Sequence, residues 1–138
     1  MKFVSHSLQD TQKFAEKFAL KLKKGQTVLL YGQMGSGKTT FSKALIKALG
    51  FHGVVTSPTF TLANVYEGKF LIQHFDMYRL ESVSEAYEVG LDEMLSNKDA
   101  INLVEWPEKA MAIMPKDVVM CNIKVVDERT REFTVEGI

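Results

Sequence analysis

The chain has 138 residues, 46% hydrophobic and 25% charged, the balance of one globular domain with one core. Lys+Arg and Asp+Glu stand at 17 each, so the formal net charge is zero and no overall basic field exists to hold a nucleic acid. A lone cysteine, Cys121, excludes an intrachain disulfide and suits a reducing compartment. No run approaches the ~18 apolar residues of a membrane span. Met1–His6 lacks the long apolar stretch of a signal peptide. The expectation is a cytoplasmic monomer.

Ser7 to Lys24 reads as a helix, with Ser7 as its cap and Phe14, Ala15, Phe18, Ala19 and Leu22 at helical spacing. Gly25 punctuates, and Gln26–Tyr31 is expected to be a buried strand. A second helix is predicted from about Lys38 to Leu49, with Phe41, Ala44, Leu45, Ala48 and Leu49 on its apolar face and Gly50 at its end. Thr59–Tyr66, a turn at Glu67-Gly68 and Lys69–Asp76 predict a hairpin, hence a mixed sheet. Helical turns are expected around Ser84–Val89 and Leu91–Ser96. Ile101–Val104, Val118–Val126 and Glu132–Val135 read as β-structure. The fold class is therefore α/β: a compact domain with a mixed, partly antiparallel sheet flanked by helices, over residues 1–138.

Between the first predicted strand and the second helix lies Gly32-Gln33-Met34-Gly35-Ser36-Gly37-Lys38-Thr39, which fits G-x-x-x-x-G-K-[ST] in its required strand–loop–helix context. Glycines let the backbone curl so that successive N–H groups face one phosphate. Lys38 supplies a point charge for the β- and γ-phosphates, the Thr39 hydroxyl can ligate Mg²⁺, and the helix start adds its positive dipole end. The alternative is a glycine turn without a ligand. Chance alone places this motif in roughly half a percent of chains this size, given ordinary residue abundances. The reading is a nucleoside triphosphate site.

Three further segments bear on that site. Asp76, closing His74-Phe75-Asp76 at a strand end, either serves a metal-bound or attacking water or caps the following turn. Glu105, in Leu103-Val104-Glu105-Trp106-Pro107, also follows an apolar strand. It either completes a Mg²⁺ sphere or is a solvated carboxylate, and its place at a strand's carboxyl end favours the site. Trp106 by itself reads as core. The hydroxyls of Thr56-Ser57-Pro58-Thr59 either sense a γ-phosphate, as switch segments do, or belong to an ordinary loop.

Absences narrow the class. Asn97-Lys98-Asp99-Ala100 imitates the Asn-Lys-x-Asp guanine reader, but its aspartate sits one position early, and no D-x-x-G occurs. A stand-alone small-molecule kinase needs a second substrate pocket and an arginine-rich lid, yet the arginines are only Arg79, Arg129 and Arg131. Such poverty predicts slow hydrolysis without help, because added arginines often stabilise phosphoryl-transfer charge. A nucleotide-sensing module without significant turnover is a further alternative.

Assembled in this order and spacing, the segments from Tyr31 to Pro107 resemble the bacterial TsaE (YjeE) family. They are Gly32-x-x-Gly35-Ser36-Gly37-Lys38-Thr39-Thr40-Phe41, Ser57-Pro58-Thr59-Phe60-Thr61-Leu62, His74-Phe75-Asp76-Met77-Tyr78-Arg79-Leu80 and Leu103-Val104-Glu105-Trp106-Pro107. The resemblance implies a phosphate-loop ATPase needed for making threonylcarbamoyladenosine on tRNA. It assigns Gly32, Gly35, Ser36, Gly37, Lys38, Thr39 and Thr40 to the nucleotide, Thr39 and Glu105 to Mg²⁺, and Asp76 to the hydrolytic centre. Ser57, Pro58 and Thr59 look like a first switch, Glu105-Trp106 like part of a second, and Arg131 like a family arginine near the nucleotide. The implied partners are TsaB and TsaD, which stimulate a weak ATPase and carry most of the tRNA contact. Gln33 departs from the acidic residue usual after the first loop glycine; glutamine can orient a water but cannot take its proton.

Overall fold

The computed structural model describes residues 1–58 and 61–138; Thr59, expected above to belong to a switch, and its neighbour Phe60 lie outside the described residues. Strands β1 (Lys2–Ser5), β2 (Thr27–Tyr31), β3 (Ala63–Glu67), β4 (Leu71–Asp76), β5 (Ala100–Glu105), β6 (Val118–Val125) and β7 (Arg131–Glu136) form one sheet in the order β1-β7-β6-β2-β5-β4-β3. Its centre, β6-β2-β5-β4, is parallel, while β3, β7 and β1 add antiparallel edges. The mixed sheet follows from the expected hairpin and from a second antiparallel run at the chain's two ends.

Helices α1 (Leu8–Lys21) and α2 (Lys38–Ala48) cover one face of the sheet; α3 (Val83–Glu88), α4 (Leu91–Leu95) and two 3₁₀ turns, Pro107–Lys109 and Met111–Ile113, cover the other. β2 has both faces buried. Val28 and Leu30 join the α1/α2 core and Leu29 the opposite one, so the strand reads as a continuous apolar run. The α1/α2 core centres on Phe14, which stacks on Phe3 at 4.7 Å and on Phe133 at 5.1 Å. Ser7 caps α1 as expected, its hydroxyl accepting from Asp10 N at 3.0 Å.

Several features differ from the sequence reading, among them the strand expected over Thr59–Tyr66, which runs Ala63–Glu67, and the two 3₁₀ turns. The first helix ends at Lys21 rather than Lys24: Leu22 is already extended, and Gln26 Oε1 accepts from Lys23 N at 2.7 Å in the turn into β2. Residues Lys2–Ser5 form a strand that the sequence did not announce, since it has four residues and Phe3 is its one apolar residue facing the helices, beside Ser5, whose Oγ meets Thr11 Oγ1 of α1 at 2.7 Å. The strand's existence rests on pairing with β7, from Lys2↔Thr134 to Ser5↔Arg131.

What matters for the site is register. Leu30 pairs with Glu105, and Asp76 pairs with Glu105, all in parallel. The two acids and the start of the glycine loop therefore arrive together at the carboxyl edge of the sheet. Among the described residues no helix is long and apolar enough to cross a membrane.

Candidate functional site

The loop leaves β2 at Tyr31 and enters α2 at Lys38, with Gly37 as the residue before the helix. Gly35 and Gly37 hold φ of +79° and +101°, a left-handed backbone that favours glycine, and open space lies where their Cβ atoms would stand. Ser36 between them is buried, and its Oγ has no hydrogen-bond partner among the described residues. From the side, Arg131 on β7 donates its Nε to Ser36 O at 3.0 Å and its Nη1 to Asp127 O at 2.9 Å. The arginine thus pins the loop's backbone to the antiparallel edge of the sheet.

Lys38 is buried, and its ammonium donates back to the loop, to Gly32 O and to Gln33 O. It also lies 3.8 Å from the centroid of the Trp106 ring, a cation–π contact. Burial pushes the Lys38 pKa below its ordinary value, while the carboxylates of Glu105, Glu108 and Asp76 pull the other way. Trp106 takes φ +57°, uncommon for a bulky side chain, directly before Pro107. In that conformation its indole lies against both Lys38 and Tyr78, the latter at 5.0 Å between centroids. Trp106 is part of the site rather than simply core.

Thr39, one residue into the helix, donates its hydroxyl to Glu105 Oε1 at 2.8 Å. The other oxygen of Glu105 lies 2.6 Å from His74 Nε2, inside the fold. Asp76 lines the same cavity, and its Oδ1 accepts from Tyr78 N at 3.0 Å. Asp76 thus caps the turn after β4, one of its two sequence readings, and also lines the cavity beside the loop. The cavity, of about 440 Å³, is walled by the loop, Asp76, Tyr78, Arg79, Glu105 and Trp106.

A second cavity of about 390 Å³ opens on the other side of the loop, between the β1–α1 junction and Arg131. It shares Ser36, Gly37 and Thr40 with the first. Its wall includes His6 and Thr11, which sequence reasoning passed over because β1 was not foreseen. Ser57 and Pro58 sit before β3, tied down through Thr56, whose N donates to Tyr66 OH at 3.1 Å; neither residue is among those lining the first cavity. Gln33 is exposed and lines a cleft with Asn122 and Lys124.

A central parallel strand running through a glycine loop into a helix, with acids at the ends of its neighbours, defines an α/β domain of the strand–glycine loop–helix class. Residues 5–133 match the family described as "Threonylcarbamoyl adenosine biosynthesis protein TsaE". The TsaE protein of Treponema pallidum is 36% identical over 135 residues, covering 98% of this chain and 99% of that one. The Rickettsia bellii TsaE is 39% identical over 130 residues, covering 93% and 89%. The crystal structure of Bacillus subtilis YdiB superposes with a TM-score of 0.82 at 29% identity, covering 98% of this chain and 83% of YdiB. The chain belongs to the TsaE family, which is named for the biosynthesis of threonylcarbamoyladenosine on tRNA.

Proposed function

We propose that this chain binds ATP with Mg²⁺ on the Gly32–Thr39 loop, hydrolyses it, and thereby drives the cytoplasmic TsaB–TsaD complex in tRNA modification. One observation carries the reading: the hydroxyl at the start of α2 and the carboxylate at the end of β5 meet at 2.8 Å in the mouth of the loop. Two oxygen donors converging beside curled glycine backbone are what a hard cation shared with phosphates needs.

The residues present fit that pair of ligands. The buried Ser36 Oγ lacks a partner among the described residues, and the space over Gly35 and Gly37 that a side chain would otherwise fill stands open. Among the described residues no group of three His, Cys, Asp or Glu side chains is placed to hold a metal ion by itself. A cation held by Thr39 and Glu105 therefore takes its other ligands from phosphate and water, the ordinary habit of Mg²⁺. With phosphates on the loop, the cavity beside Arg131 has room for the base.

Each residue then has a task. Loop amides and the α2 N-terminus bind phosphate oxygens, and Lys38 exchanges two backbone carbonyls for them. When bound, Mg²⁺ neutralises phosphate charge. Asp76 orients the attacking water at the cavity wall. Arg131 is engaged with the loop's backbone, which leaves charge stabilisation in the transition state to Arg79 at the cavity wall and to the partners. Ser57–Thr59 and Glu105–Trp106 act as the two segments that respond to the nucleotide.

The test is phosphate release from ATP with and without TsaB–TsaD, for the wild type and Lys38→Ala. The expected result is slow release alone, faster release with partners, and none above background for the variant in either case. Equal release by the variant overturns the reading. Phosphate transfer from ATP to a metabolite without partners would instead make the chain a small-molecule kinase.

A further inference from the structure

His74 lies buried on β4, in contact with Glu105. It sits on β4 two residues before Asp76, so both side chains project to the α2 side of the sheet, as does Glu105 two residues after Leu103. His74 is fully buried and Glu105 nearly so. Imidazole Nε2 and Glu105 Oε2 are 2.6 Å apart, and Nδ1 has no partner among the described residues. Among the described residues the imidazole's one polar contact is therefore the carboxylate.

An ionised carboxylate only accepts, so the proton between the two groups belongs to Nε2. With Oε2 fixed on the inner side by this bond, the carboxylate cannot turn about its last torsion, and Oε1 stays aimed at the Thr39 hydroxyl 2.8 Å away. We propose that His74 is the positioning residue of the site: its Nε2–H holds Glu105 so that one oxygen faces the loop mouth. This inference rests on the Mg²⁺-nucleotide reading above. It adds to that reading a third residue, behind the metal-facing oxygen, of the kind that orients ligands elsewhere.

Two measurements test it. In ¹⁵N-histidine-labelled protein without nucleotide or metal, with only 3 histidines to assign, His74 is expected to carry its proton on Nε2 in a slowly exchanging, downfield signal. An Nδ1–H tautomer lacking a proton on Nε2 overturns the proposal whatever the variants do. Second, binding of a fluorescent ATP analogue is titrated with Mg²⁺ and repeated in EDTA. His74→Leu is expected to need about 10- to 100-fold more Mg²⁺, as for other supporting residues of metal sites. Binding in EDTA should stay within about twofold, and His74→Gln, which restores a donor at a similar reach, should recover most of the loss. An unchanged Mg²⁺ midpoint in folded His74→Leu overturns the positioning role while leaving the site's reading intact. A wild type whose nucleotide binding ignores Mg²⁺ overturns both.

Discussion

At the scale of single residues the site is a set of exchanges. Lys38 is held by two loop carbonyls and by the face of Trp106, 3.8 Å from its ammonium. On the function proposed above, a triphosphate would compete for that ammonium and the indole would lose its cation. Addition of ATP should therefore change the fluorescence of Trp106, the only tryptophan, and Lys38→Met should blunt the change. A silent wild-type signal would make the contact irrelevant to binding. Glu105 supplies an oxygen to Thr39 from a buried position, so its removal strips the mouth of its carboxylate. Glu105→Ala is expected to raise the Mg²⁺ concentration needed for nucleotide binding at least tenfold, and an unchanged titration would remove Glu105 from the metal site.

Among the elements, α1 and β1 show how far the site depends on parts remote from the loop. Phe14 of α1 packs between Phe3 of β1, Phe133 of β7 and Phe41 of α2, so one ring joins the chain's first strand to the helix that carries Lys38. Phe14→Ala should cost about 3–5 kcal/mol in urea unfolding, the range for a large core aromatic replaced by a cavity. Ser7→Ala, which removes the cap of the same helix, should cost ~1 kcal/mol. Leu20→Ala, on the 88% exposed outer face, should stay within about 0.5 kcal/mol. Equal losses at Phe14 and Leu20 would contradict the packing described. β7 links this core to the loop directly, because Phe133 and Arg131 lie two apart and Arg131 holds Ser36 O.

Over the whole molecule, two covered faces leave Cys121 on β6 completely buried, and burial pushes its thiol from 9.0 up to about 12. Between those values the unfolded chain has lost the thiol proton and the native chain keeps it, so fewer protons are bound on unfolding. Stability should therefore fall as pH rises past 9.0, by up to about 1.4 kcal/mol per pH unit from this group. Cys121→Ala, less stable at neutral pH, should lack that part of the slope; an identical slope would refute the assignment. In the native state the thiol should react with alkylating reagents only through unfolding. Sequence alone determined much of this protein: the loop, Lys38 and Thr39 by motif, the acids Asp76 and Glu105 by their place after apolar strands, and the mixed sheet by its hairpin. Those signals are local, carried by residue type and period within a few positions. Strand β1, the seat of Arg131 beside Ser36, the indole over Lys38 and the His74–Glu105 pair come from tertiary structure alone. Each joins segments far apart in the chain, and only the order and register of the sheet bring them within hydrogen-bonding or packing distance.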